Sequence, residues 1–167
     1  MAKNILFAHN PLFQRMLVTN DDSISASVLK ILSEIANSLS NDVWVVAPLT
    51  EQSGAGHSIT IAEPMRIKNL GDKTYGVQGT PTDCVILAIN NIMKDQKPTL
   101  VLSGVNRGFN MADDITYSGT VAAAMEGTIA GIPSIALSQA LTKGQKTVTW
   151  EIPKKRAADL LLKLVNQ

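Results

Sequence analysis

Oxygen-bearing side chains gather at three places in this sequence, each just after an apolar run. Asn20-Asp21-Asp22 follows Met16-Leu17-Val18-Thr19, Ser53 lies in the polar loop after Val43 to Ala47, and Asn106 comes shortly after Leu100-Val101-Leu102. Two carboxylates, a hydroxyl and a carboxamide are hard donors, suited to Mg²⁺, Mn²⁺ or Ca²⁺ rather than to a thiolate-bound metal. A fourth cluster, Tyr117-Ser118-Gly119-Thr120, opens a helix of small residues. Backbone N–H groups and the positive end of the helix dipole make such a start an anion site, where Ser118 and Thr120 either cap the helix or donate to a phosphate. A divalent cation beside a phosphate cradle is the equipment of metal-assisted phosphoester hydrolysis.

Each cluster also has a purely structural reading. Asn-Asp-Asp after a strand caps the next helix, Ser53 among glycines is ordinary turn chemistry, and the Ala-rich stretch suits a plain crossover helix. His57, in the same loop as Ser53, is either a catalytic group or a structural histidine. Asp113-Asp114 is either a second acidic pair or a solvated lead-in to the helix. Gly54-Ala55-Gly56 is too short for a Walker loop and lacks its Gly-Lys-Ser/Thr.

The elements that position these residues follow from apolar patterning. Met16 to Thr19, Val43 to Ala47 (stopped by Pro48), Leu100 to Leu102 (broken at Ser103-Gly104) and Ser134 to Leu137 read as buried parallel strands. Ile59 to Lys68 and Thr74 to Gln78 read as edge pieces around a Gly71 turn, and Thr147 to Trp150 as extended. Val28, Leu32, Ile35 and Leu39 repeat at helical spacing, predicting a helix over Ser25 to Leu39. Thr80-Pro81-Thr82-Asp83 has the form of a capped start, with Thr80 as N-cap, for a helix through Ile92. Ala122 to Ala124 and Gly127 let the helix after Thr120 lie close to a sheet. Lys154 to Val165 is a last helix opened by Pro153. Alternating strands and helices define an α/β domain with a mostly parallel sheet, whose strand C-termini, and so all the oxygen clusters, share one edge.

The 167 residues suit one domain. Lys plus Arg number 15 and Asp plus Glu 14, a net charge of +1 that gives no electrostatic case for nucleic acid or an anionic membrane. The single cysteine, Cys84, excludes an intramolecular disulfide, fits a reducing cytoplasm, and reads as a small buried hydrophobe. Trp44 and the methionines read as core. No apolar run approaches a membrane span. Residues 1–15 are hard to place: Ile5 to Ala8 has the look of a short edge strand, but Met16 makes a sensible chain start, so this segment is treated as a dispensable extension.

The motifs TNDD (Thr19 to Asp22), VVAP with QSGAGHSIT (Val45 to Thr60), GTPTDCV (Gly79 to Val85) and SGVNRGFNMADDITYSGTVAAAMEG (Ser103 to Gly127) resemble the stationary-phase survival (SurE) family. The resemblance runs in unbroken order from Met16 to about Ser138. It implies a Rossmann-like three-layer fold and a metal-dependent nucleoside 5′- and 3′-monophosphate phosphatase that forms homo-oligomers. It assigns the metal, Mg²⁺ or Mn²⁺, to Asp21, Asp22, Ser53 and Asn106, and the substrate phosphate to Asn110, Ser118, Gly119 and Thr120. Asp22 is the candidate to assist proton transfer, and Arg107 either offsets phosphate charge or forms a structural ion pair. The adjacent Asp pair argues against a haloacid-dehalogenase-like route, which wants Asp-x-Asp.

The sequence departs from the family twice. Ser23 and Ser27 stand where the family has glycine after the Asp pair and a Gly or Pro shortly beyond. If Ser23 takes positive φ, strain of about 1 kcal/mol falls beside the metal ligands. Family members also continue well past Gln167, with strands, an exchanged hairpin and a closing segment. A C-terminally shortened chain is therefore expected, and with it a second possibility: a non-catalytic remnant or half-enzyme that binds metal or nucleotide, or needs a second chain.

Overall fold

Met16, Leu17 and Val18 are all fully buried, as a strand covered on both faces requires. In the computed structural model, which describes residues 13–141, 144 and 147–165, this strand is β1 (Met16–Thr19). It lies parallel to β2 (Val43–Pro48) on one side and β5 (Leu100–Arg107) on the other. Next to β2 comes β4 (Thr74–Val77), and next to β5 comes β6 (Ser134–Gln139), both parallel. Only β3 (Ile67–Gly71) runs antiparallel, against β4, giving the order β3-β4-β2-β1-β5-β6.

Successive strand residues point to opposite faces, and the two faces carry separate cores. Met16, Val18, Leu100 and Leu102 pack with Leu29 and Leu32 of α1 (Ser27–Leu39) and with Leu161 of α5 (Glu151–Val165). Leu17, Val46 and Val101 pack on the other side. Their partners are Val85 of α2 (Pro81–Leu87), Ile89 of the π turn Ala88–Ile92, and Ala123 of α4 (Gly119–Ile129). A single helical turn, α3 (Asp114–Tyr117), precedes α4. The result is the expected Rossmann-like three-layer α/β domain with a mostly parallel sheet.

Two local readings hold in detail. Thr80 caps α2 through a capping box: its hydroxyl accepts from the Asp83 N–H at 3.1 Å and its own N–H donates to Asp83 Oδ2 at 2.9 Å. Gly127 does let α4 approach the sheet, since a Cβ there would press on Ser134 Oγ and lie 2.9 Å from Val101 Cγ2.

Other boundaries differ. α1 starts at Ser27 rather than Ser25, because Ser23 to Ala26 form a turn in which Ala26 N–H donates to the Ser23 carbonyl. β2 runs through Pro48, whose carbonyl still accepts from Ile24 N–H at 2.7 Å. Only Ile67 onward of the Ile59 to Lys68 piece is strand; Thr60 is instead tied to Asp83 through its N–H and hydroxyl. β5 does not stop at Ser103-Gly104 but continues to Arg107. Thr147 to Trp150 is not a strand, and α5 opens at Glu151 with Pro153 inside its first turn, where a missing N–H removes no intrahelical bond. Among the residues read as core, Met111 and Met125 are exposed, and Trp44 is half-buried, stacked on Tyr75. Cys84 is buried, as expected.

The expected edge strand Ile5 to Ala8 lies outside the described residues. At the end of that segment, Phe13 is buried in the first core, and Arg15 holds Asp42 Oδ2 at 2.5 Å and the Gln96 carbonyl at 2.8 Å.

Candidate active site

The turn after β1 is fastened from within. Asn20, fully buried, donates from Nδ2 to the Ser23 carbonyl at 3.0 Å, and the Asp21 carbonyl accepts from Gln52 N–H at 2.8 Å. Ser23 adopts φ 111°, the left-handed region that favours glycine. Ser23→Gly is therefore expected to stabilise the chain by about 1 kcal/mol, read as a melting-temperature rise of about 2–4 °C. An unchanged or lower value would show that the turn carries no strain.

The two carboxylates of this turn have different surroundings. Asp21 is buried; burial raises its pKa, and hydrogen bonds from Thr120 and from its own amide temper that rise. The Thr120 hydroxyl donates to Asp21 Oδ1 at 2.7 Å. Asp22 is half-buried, yet its Oδ2 is shut off from solvent and has no hydrogen-bond partner among the described residues. Burial, then the charges of Asp21 and Glu51, push its pKa up to about 6.

The loop after β2 reaches over to α4. His57 Nε2 sits 2.9 Å from Glu126 Oε2, and Gly56 N–H donates to the Tyr117 carbonyl at 3.2 Å. These contacts pin the loop that carries Ser53, whose hydroxyl donates to Glu51 Oε1 at 3.0 Å. His57→Ala should free the loop. Losing one partly buried contact of about 1 kcal/mol should speed amide exchange across residues 53–58 about fivefold. Unchanged exchange would assign the tether to the backbone contact alone.

At the end of β5, Asn106 Nδ2 donates to the Gly108 carbonyl at 3.1 Å. Asn110 Nδ2 donates to Ser138 Oγ at 2.9 Å. Ser118 is the N-cap of α4, accepting from Val121 N–H at 3.1 Å. These segments enclose a cleft of about 240 Å³ whose walls include Asp21, Ser53, Asn106, Asn110 and Ser118. Five of the residues singled out in the sequence thus share one cleft.

Three do not line it. Thr120 is fully buried behind Asp21, and Gly119 lies against Asp21 so closely that a Cβ would sit 2.8 Å from Asp21 Cβ. Asp22 lines a neighbouring hollow. Of the open alternatives, Asp114 lines the cleft, whereas Asp113 is not among its walls. Tyr117, named in the sequence only as the lead-in to the helix, also lines the cleft, and the His57 partner Glu126 was not anticipated. Glu126 did leave a signal, as the one charged residue in α4.

The donors fit a hard divalent cation. Among the described residues no three His, Cys, Asp or Glu side chains cluster as a metal site, so any site here has to use hydroxyl and amide oxygens beside the two carboxylates. The partnerless Asp22 Oδ2 and two neighbouring carboxylates of raised pKa are what a bound cation would relieve.

The family model described as "Survival protein SurE" matches residues 16–167. The chain belongs to the SurE family. Among its relatives, "5′-nucleotidase SurE" of Parvibaculum lavamentivorans is 57% identical over 152 residues, covering 90% of this chain and 55% of that protein. The protein of the same name from Methylorubrum extorquens is 60% identical over 130 residues, 78% of this chain and 51% of its own length. The crystal structure of the SurE protein from Aquifex aeolicus superposes with a TM-score of 0.83 at 44% identity, covering 92% of this chain and 60% of that one. The chain thus spans between about half and 60% of the length of these SurE relatives. Among the described residues no helix is long and apolar enough to cross a membrane.

Proposed function

We propose that the chain is a metal-dependent phosphomonoesterase that hydrolyses nucleoside 5′- and 3′-monophosphates to nucleoside and phosphate. The observation that carries this reading is the cleft itself, where Asp21, Ser53 and Asn106 meet Asn110 and the capped start of α4. The nucleotide substrate class comes from the names of the relatives, which are called 5′-nucleotidases.

Asp21, Asp22, Ser53 and Asn106 would hold a divalent cation, Mg²⁺ or Mn²⁺. Such an ion supplies Lewis-acid polarisation of the phosphoryl group and a more acidic water. Asn110 and Ser118 would bind the substrate phosphate from the cleft, with the Gly119–Thr120 backbone at the positive end of α4 behind them. Thr120 gives its hydroxyl to Asp21, so its side chain serves the phosphate by orienting that carboxylate. Asp22, whose Oδ2 has no hydrogen-bond partner among the described residues, is the group we assign to take the proton of the attacking water.

Phosphate release from 5′-AMP and 3′-AMP by the purified chain, with Mn²⁺ or Mg²⁺ and then with EDTA, tests the reading. Turnover with either metal that EDTA abolishes is expected. A folded, metal-binding chain that releases no phosphate from either nucleotide would overturn it.

A further inference from the structure

A second hollow, of about 510 Å³, lies on the same sheet edge. Trp150 and Val148, just ahead of α5, form one wall; Ala26 and Val28 at the start of α1 form another; Asp22 and Arg107 are also among its lining residues. Two pairs of consecutive residues separate it from the cleft described above. Asp21 and Asn106 line the cleft, whereas their neighbours Asp22 and Arg107 line the hollow. A group bound at the Asp21–Asn106 wall is therefore one residue's width from this second space.

The wall chemistry is that of a site for a flat, amphipathic ring. An indole and small aliphatic side chains offer area for stacking, while the hydroxyls of Ser27 and Thr147 offer hydrogen bonds. The volume falls within the range of small-molecule pockets, about 300–1,000 Å³. Of its lining residues, only Asp22 has a part in the proposed phosphate chemistry. We infer that the hollow receives the nucleoside half of the substrate, with the base stacked on Trp150. This rests on the proposed phosphomonoesterase reading and adds to it a determinant of selectivity for nucleotides over simple sugar phosphates.

The test separates the two readings. In a Trp44→Phe background, Trp150 is the only tryptophan, and adenosine is titrated against its fluorescence beside ribose 5-phosphate and inorganic phosphate. Saturable quenching by adenosine, absent with the other two, is expected. Ser27→Phe, which adds bulk to the wall at the start of α1, should weaken adenosine binding at least about tenfold, the scale of one lost base stack. In kinetics, Trp150→Leu should lower the ratio of kcat/KM for AMP to that for ribose 5-phosphate about tenfold, and Trp150→Phe should restore most of it. No adenosine quenching, binding indifferent to Ser27→Phe, or an unchanged ratio would overturn the inference. If no phosphate ester is hydrolysed, the phosphomonoesterase reading fails, while the adenosine titration still decides the hollow.

Discussion

Asp22→Asn should lower metal-dependent phosphate release from AMP by about a hundred- to ten-thousandfold, the usual range for a lost proton-transfer group. The same change should raise the melting temperature of the metal-free chain by about 2–4 °C. Both effects follow from the setting of one carboxylate. Asp22 Oδ2 is buried without a hydrogen-bond partner among the described residues, and burial together with Asp21 and Glu51 pushes the pKa up to about 6. From the ordinary aspartate range up to that value, the folded chain holds a proton the unfolded chain has released. Stability therefore falls as pH rises through this window, and at neutral pH the ionised group opposes folding. The side chain is only half-buried, so solvent screening reduces the penalty to roughly 1 kcal/mol. A neutral amide removes it. Mn²⁺ at a hundred times its Kd should stabilise the parent chain by about 2.7 kcal/mol, a shift of about 5–10 °C, and the variant should lose most of that shift. Thermal melts with and without Mn²⁺, run beside the AMP assay, read all three quantities. A variant that keeps both the metal shift and the turnover would remove Asp22 from the site.

What was legible in the sequence was either local or periodic. The Thr80–Asp83 capping box is closed by residues three apart, so four letters suffice to find it. The buried strands announce themselves by continuous apolar runs, and their parallel arrangement then puts Asp21, Ser53 and Asn106 on one edge. Long-range partners were hidden. Thr60 leaves the expected strand because Asp83, more than twenty residues away, accepts both its N–H and its hydroxyl. His57 finds Glu126 only because α4 folds back beside its loop. The split between Asp21 and Asp22 is of the same kind: adjacent letters in the sequence, yet walls of different spaces, because each is set by a different neighbouring element.

The other large effect is expected at Gly104, where the strand assignment failed. Gly104→Ala should destabilise the chain by roughly 2–5 kcal/mol, combining left-handed backbone strain with overpacking against main chain. Gly104 has φ 128°, and a Cβ there would strike the Leu137 carbonyl oxygen and lie 3.1 Å from Asn106 N. Neither obstacle is a flexible side-chain end, so neither yields cheaply. The glycine sits at a register shift: Gly104 pairs with Leu137 and Asn106 with Ser138, leaving Val105 as the extra residue. Strict alternation would put Val105 on the face of Val101. Instead it packs with Leu100 and Leu102 in the first core. The extra residue inverts everything after it, so Asn106 lines the cleft beside Asp21 and Ser53, and Arg107 the hollow beside Trp150. Without the shift the two would exchange sides. Gly104→Ala should therefore cost metal affinity as well as stability, with a melting temperature lower by about 5–15 °C and a smaller Mn²⁺-induced shift in whatever remains folded. Val105→Ala supplies the contrast: it empties a core position without touching the shift, so it should lower the melting temperature while leaving the Mn²⁺-induced shift intact. Equal loss of the metal response in both variants would mean that general softening, not the inverted register, controls the aim of Asn106.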